Sequence, residues 1–263
     1  MISRELKIFF AALRYYTRIP CPKDPDFSPS DINKATRYFP LIGWIVGGIS
    51  FLVFWLASLV FEVNIAVVFS LAAGVLVTGA FHEDGFADMS DGFGGGWTKE
   101  TILEIMKDSR VGAFGAIALI FLFWIKFSAL NSLSLYVLNR NHSLLLLMFI
   151  AYHSLSRLTA INIVFTSFYS RENEDSKAKP IAVGHTFIEI IGAYFFGLLP
   201  LAALCFFNPI FSIVIPPLAI LYYFTNRYFN RWIDGYTGDC LGAVEQMAEC
   251  VCLLTFAALW KYL

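Results

Sequence analysis

The stretch IAVVFSLAAGVLVTGAFHEDGFADMSDGFGGG, residues 65–96, sets an uncharged apolar run directly against a dense group of acids. The run from Ile65 to Phe81 approaches the roughly 20 residues with which a helix crosses a bilayer. Beyond it, residues 82–110 hold seven of the chain's twenty carboxylates: Glu83, Asp84, Asp88, Asp91, Glu100, Glu104 and Asp108. If residues 82–91 continue the helix, Asp84, Asp88 and Asp91 recur at i, i+4 and i+7 and share one face. Glu100, Glu104 and Asp108 form a second stripe of similar spacing. Between the stripes, Gly92-Phe93-Gly94-Gly95-Gly96-Trp97 is too rich in glycine for a helix interior and predicts a pliable loop. Thr98 then reads as the N-cap of a following helix.

Like charges one helical turn apart destabilise a helix by roughly 0.2–0.5 kcal/mol per pair, so two such stripes call for a counter-ion. The donors are carboxylates, with no cysteine and only His82 adjacent, a set that suits Mg²⁺, or Mn²⁺, better than zinc. A solvated acidic loop is the plainer reading. It has no need of helical spacing, nor of four glycines within five residues.

The whole composition agrees with the apolar run. Of 263 residues 58% are hydrophobic and 15% charged, and the mean hydropathy is +0.65. These values describe an all-α polytopic membrane bundle, here taken as one domain over 1–263. A net charge of −1 shows no nucleic-acid footprint. Arg4, Lys7, Arg14 and Arg18 interrupt the first residues, so no signal peptide is expected. Instead Leu6, Phe9, Phe10, Leu13 and Tyr16 oppose the basic residues on an amphipathic helix suited to the membrane surface. Cys21, Cys205, Cys240, Cys250 and Cys252 fall in no metal-binding spacing and read as packing residues.

Seven spans are expected, with six to eight compatible with the pattern: 38–61, 65–81, 111–130, 143–166, 185–206, 210–225 and 241–259. With the N-terminus inside, 1–37, 82–110, 167–183 and 226–240 lie inside, and together with Arg157 they hold sixteen of the nineteen Lys and Arg residues. Lys126, Arg140 and Lys261 remain for the other side. The acidic stretch therefore faces the cytoplasm. Gly43 and Gly47 make a GxxxG suited to close helix contact, and Gly112 and Gly115 lighten the start of the third span. His153 and Arg157, one turn apart in an apolar run, should face the bundle interior, with either a phosphate or a carboxylate as the partner of Arg157. Residues 226–242 read as a last loop, after which Glu245 and Glu249 continue inward at i, i+4.

Clustered carboxylates holding Mg²⁺ at a membrane face suit transfer of a phosphoryl-linked group from a nucleoside diphosphate. Four segments carry a closer likeness: RYFPLIGWIVGG (37–48), HEDGFADMSDGFGGG (82–96), EIMKDSRVGAFG (104–115) and TGDCLGA (237–243). In these the chain closely resembles the cobalamin synthases, the adenosylcobinamide-GDP ribazoletransferases, over nearly its whole length. Asp234 departs from that resemblance, standing ahead of Gly235-Tyr236 where a more glycine-rich approach is expected. The resemblance implies an integral protein of the bacterial inner membrane that joins adenosylcobinamide-GDP to α-ribazole, or to its 5′-phosphate, and releases GMP with Mg²⁺. It makes Glu83, Asp84, Asp88 and Asp91 the metal and diphosphate site. In finer detail, Asp84, Asp88 and Asp91 bind Mg²⁺, with Glu104 and Asp108 completing the shell. His82 or Glu83 is the base for the 5′-hydroxyl. Lys107, Arg110, Arg157 and Lys179 hold phosphates, with Asp239 at the far side. The partners implied are these substrates and the lipid bilayer, and a homodimer is left open.

Two other readings compete. A CDP-alcohol phosphotransferase would share the metal chemistry and the Asp88-x-x-Asp91-Gly92 opening, but the later part of that pattern does not follow. A cation transporter would spread its carboxylates through the spans, whereas here they cluster at one face.

Overall fold

The computed structural model describes residues 4–21, 27–137, 141–170 and 184–260. A short helix α1 (Arg4–Tyr16) leads through α2 (Pro29–Ala35) into the first long helix, α3 (Phe39–Ser58). Next come α4 (Val63–Thr78), α5 (Phe81–Gly95), the short α6 (Lys99–Ile105), α7 (Ala113–Val137), α8 (His142–Thr166), α9 (Phe187–Phe207), α10 (Ile215–Ile233) and α11 (Gly238–Leu259). Among the described residues six helical segments are long and apolar enough to cross a membrane, or seven if α4 and α5, which meet at an 89° bend, count as one broken span. This is the polytopic helical bundle expected. Among the described residues no β-strand forms, and Tyr169 and Tyr236 share one isolated bridge.

The bend is the first departure from the sequence pattern. Gly79 (φ 70°) and Ala80 (φ 58°) are both left-handed, so the acidic residues do not continue the α4 helix but start a new one across it. The second departure lies at the other end of α5, which runs through Gly92, Gly94 and Gly95 as helix. Tertiary contact overrides the low propensity of these residues: a Cβ on Gly92 would lie 2.6 Å from Met106 Cγ, and one on Gly94 2.6 Å from the Phe114 ring. A third concerns residues 226–242. α10 continues to Ile233, so only a short turn separates it from α11.

The helix ends on the acidic side converge. The amide of Arg18 donates to Val77 O (2.7 Å) at the end of α4. The rings of Phe39 and His82 are 5.8 Å apart. Arg37 reaches Glu189 at the start of α9 (3.6 Å), and Tyr222 of α10 donates to Thr166 at the end of α8 (2.8 Å). Phe168 and Tyr236 pair through their backbones, the Tyr236 amide donating at 2.9 Å. At Gly235 (φ 146°) a Cβ would strike Phe168 O, so this turn admits glycine alone. Beside it, Asp234 forms an ion pair with Lys99 of α6 (3.1 Å). Asp234 thereby ties α6 to the turn that opens α11.

α1 buries its apolar face against the protein. Ile8, Ala11, Ala12, Leu13 and Tyr16 are buried, and Tyr16 stacks on Phe39 at 4.2 Å. α3 and α8 cross at the predicted GxxxG, where Gly43 and Gly47 lie against the backbone carbonyls of His153 and Phe149. α5 and α11 also cross closely, with somewhat more room. A Cβ on Gly85 would come 3.0 Å from Asp239 Cα, and one on Gly242 3.0 Å from His82 O.

Candidate active site

Bending α5 across the bundle sorts its carboxylates onto two faces. Glu83, Ala87 and Asp91, spaced at i, i+4 and i+8, are buried. Asp84 is exposed and Asp88 half-buried. The predicted common face of Asp84, Asp88 and Asp91 is therefore divided.

Asp91 turns toward α7. Its Oδ2 accepts from the Gly112 amide (2.7 Å) and its Oδ1 from the Gly115 amide (2.9 Å). The carboxylate satisfies amide donors that a helix start leaves orphaned and places negative charge at the positive end of the helix dipole. Gly112 and Gly115 are needed there because a Cβ on either would strike the Asp91 carboxylate.

Glu83 and His82 turn inward. Glu83 Oε1 accepts from Gln246 Nε2 (3.2 Å), and His82 Nδ1 lies 3.6 Å from Glu245 Oε2. These contacts lead into a buried network that joins three helices. Arg157 Nη1 meets Glu245 Oε1 at 2.8 Å and Glu249 Oε1 at 3.6 Å. His153 Nδ1 is 2.6 Å from Glu249 Oε1. Lys126 Nζ donates to Glu249 Oε2 at 2.5 Å and also to Gln246. The sequence assigned Lys126 to the outer side, but it lies in the bundle interior, drawn there by Glu249. Of the two partners open to Arg157, the structure supplies the carboxylate. The carboxylates of Glu245 and Glu249 with His153 lie close enough together to hold a metal ion. An ammonium and a guanidinium already balance those carboxylates, so this trio is a neutralised ion-pair cluster. About 20 Å³ of open space adjoins it, room for one water among the unpartnered Ser50 and Ser70 hydroxyls, Glu83 Oε2 and His153 Nε2.

The remaining candidates stand at the converging end of the bundle. Thr98 caps α6 as predicted, accepting from the Thr101 amide (3.3 Å). α6 ends at Ile105, which leaves Asp108 outside the expected stripe. Asp108 is clamped by Arg110, whose Nε and Nη2 donate to it at 3.0 and 2.6 Å. Those hydrogen bonds hold the Asp108 carboxyl down at about 2. Glu104 and Lys107 are exposed. Asp239 adjoins Gly85 through the helix crossing, and Lys179 lies outside the described residues. Asp84, exposed, and Asp88, half-buried, stand on adjacent turns of α5 on either side of Gly85, which meets the start of α11.

His82 also borders a second, mostly apolar cleft walled by Tyr15, Phe39, Phe81 and Leu241. Its Nε2 has no partner among the described residues. Through Tyr15 and Phe81 this cleft shares walls with a larger open groove of about 540 Å³ between α1 and the α4–α5 bend.

The buried network was only partly readable. His153, Arg157, Glu245 and Glu249 stood out as ionisable residues in apolar segments, but Gln246 carried no such signal. Lys126 was read by its place along the chain, although a lone lysine midway through a 25-residue apolar helix is itself a sign of an interior partner.

Comparison with known proteins covers nearly the whole chain. Residues 8–257 match the family described as cobalamin-5-phosphate synthase. An adenosylcobinamide-GDP ribazoletransferase of Shewanella frigidimarina (strain NCIMB 400) is 42% identical over 260 residues, 97% of this chain and 95% of the relative. The protein of that name from Shewanella amazonensis (strain ATCC BAA-1098 / SB2B) is 42% identical over 262 residues, 98% of each chain. No solved structure matches.

Proposed function

Because this chain belongs to the cobalamin-5-phosphate synthase family, we propose that Asp84 and Asp88 of α5 serve the transfer of a cobinamide phosphate to ribazole. The substrates are adenosylcobinamide-GDP and α-ribazole or its 5′-phosphate, and the products are adenosylcobalamin or its 5′-phosphate and GMP. A ring hydroxyl of the ribose, not the 5′ oxygen that carries the phosphate in α-ribazole 5′-phosphate, attacks the phosphorus that carries the cobinamide. A new P–O bond forms as the bond to the GMP phosphate oxygen breaks, and the hydroxyl proton passes to a base on the protein.

The observation that carries this reading is the sorting of the motif. Asp91 is committed to the start of α7 and Glu83 to Gln246, while Asp84 and Asp88 face outward at the helix crossing. Asp84 has no ion pair among the described residues, and its oxygen-only donor chemistry fits Mg²⁺. When bound, Mg²⁺ supplies charge neutralisation of the diphosphate and of the leaving phosphate. Asp84 and Asp88 are the residues that would hold it, with Asp239 beside them across the crossing. His82 borders the cleft and its buried Nε2 has no partner among the described residues, which supports it as the base for the hydroxyl proton. Lys107 and Arg110, just beyond α6, are exposed cations suited to substrate phosphates. The cytoplasmic orientation of this end in a bacterial inner membrane is supported by the basic residues gathered there.

The direct test incubates detergent-solubilised protein with adenosylcobinamide-GDP, α-ribazole and Mg²⁺, and follows both products by chromatography. GMP and the corrinoid should form together and stop with EDTA. Folded protein that releases no GMP would reject the reading.

A further inference from the structure

An open groove carries a pair of arginines that the mechanism above does not use. It lies between α1 and the α4–α5 bend, has a volume of about 540 Å³, and is lined by Arg14, Tyr15, Arg18, Phe27, Gly79 and Phe81. That volume falls within the range of small-molecule sites, roughly 300–1,000 Å³. Both arginines are exposed, and neither has a carboxylate partner among the described residues. The Arg14 guanidinium stands 5.8 Å from the centre of the Phe27 ring. Arg18 lies across the bend itself: its amide is bonded to Val77 O, and a Cβ on Gly79 would come 2.8 Å from Arg18 Cγ.

We propose that this groove binds the nucleoside diphosphate part of the donor substrate, with Arg14 and Arg18 on phosphate oxygens and the aromatic residues against the flat base. Guanidinium groups pair with phosphate through two parallel N–H donors, and aromatic faces hold heterocycles by stacking. Location favours a substrate over an incidental anion. Phe81 ends the groove and immediately precedes His82 and Asp84, and the aromatic cleft that Tyr15 and Phe81 share with the groove reaches His82. A diphosphate gripped at the bend is thereby brought to the start of the acidic helix.

The proposal rests on the ribazole-transfer reading but is scored by binding alone, so the two can fail separately. Titrating GDP with Mg²⁺ into purified Arg18→Gln, Arg14→Gln and wild-type protein gives the dissociation constants. Each substitution should weaken GDP binding by about tenfold, the worth of one charge-assisted hydrogen bond, and Arg18→Lys should lose less. Arg14 is exposed on α1, so its variant stands even if the Arg18 variant fails to fold. Unchanged GDP affinity in Arg14→Gln and in folded Arg18→Gln overturns the proposal. A parallel titration with short-chain phosphatidylglycerol separates the other phosphate source. If the substitutions weaken binding of that lipid and leave GDP untouched, the groove is a headgroup site and the proposal falls. If the substitutions weaken GDP binding while folded wild-type protein makes no corrinoid product, the groove stands and the ribazole-transfer reading falls.

Discussion

The guanidinium of Arg157 meets the carboxylate of Glu245 at 2.8 Å, and both side chains are at most 1% exposed. This contact ties α8 to α11 in the interior of an apolar bundle, where removing one partner leaves a charge unpaired. Arg157→Ala should therefore destabilise the protein by about 3–5 kcal/mol, while Arg157→Met with Glu245→Leu should recover much of that loss. Thermal unfolding in detergent measures both. A single variant as stable as the wild type would mean that the pair is hydrated.

The two faces of α5 should respond differently to substitution. Asp91→Ala removes two hydrogen bonds at the start of α7 and should cost about 1–3 kcal/mol of stability, read as a lowered melting temperature. Asp84→Asn should leave melting unchanged, and both Asp84→Asn and Asp88→Asn should lower kcat by roughly 10²-fold or more, as loss of a transition-state electrostatic contact does. Paired melting and turnover measurements check the division. A melting loss for Asp84 equal to that for Asp91 would refute it.

The same chemistry gives His82 its own signature. Replacement by Asn should lower kcat by about 10²–10⁴-fold, the usual share of a general base, with GDP affinity preserved. Single-turnover kinetics with saturating donor reads the chemical step directly.

The α3–α8 crossing supplies a control within one helix. Gly43→Ala and Gly47→Ala would press a methyl group to 2.5 and 2.6 Å from the carbonyl oxygens of His153 and Phe149, an overpacking cost of about 1–3 kcal/mol. Gly48→Ala meets nothing within 4 Å and should be neutral or slightly stabilising. Melting temperatures of the three variants rank the sites.

Acid should leave the Asp108–Arg110 clamp in place over any practical assay range. A carboxyl whose folded value is depressed contributes above its unfolded value, about 3.9, and loses that contribution as pH falls through its folded value. Here the folded value is about 2. Asp108 should stay ionised at pH 4, and replacing Arg110 by Gln should raise its titration toward the ordinary carboxylate range. Carboxyl-carbon NMR with labelled aspartate follows the change.

By itself the sequence determined the class of the protein and singled out residues 82–110 as the candidate site. Long apolar runs can satisfy their backbone in a bilayer only as helices, and the acids of residues 82–110 could not be spread through such spans without cost. The GxxxG at Gly43 and Gly47 and the cap at Thr98 were legible for the same reason: each is a local rule with a local consequence. Only the tertiary structure decided how the acids are divided. Two consecutive left-handed residues, Gly79 and Ala80, turn α5 across the bundle, and that turn sends Asp91 to the start of α7, Glu83 to Gln246, and Asp84 and Asp88 outward. Helical spacing cannot make this division, because it ranks residues around one axis and is blind to what lies on each side. The fate of the glycines and of Lys126 was hidden likewise. A glycine run becomes helix where Met106 and Phe114 pack against it, and a lysine enters an apolar bundle where Glu249 awaits it. Both outcomes depend on partners far away in the chain, whose positions are set by how the helices cross.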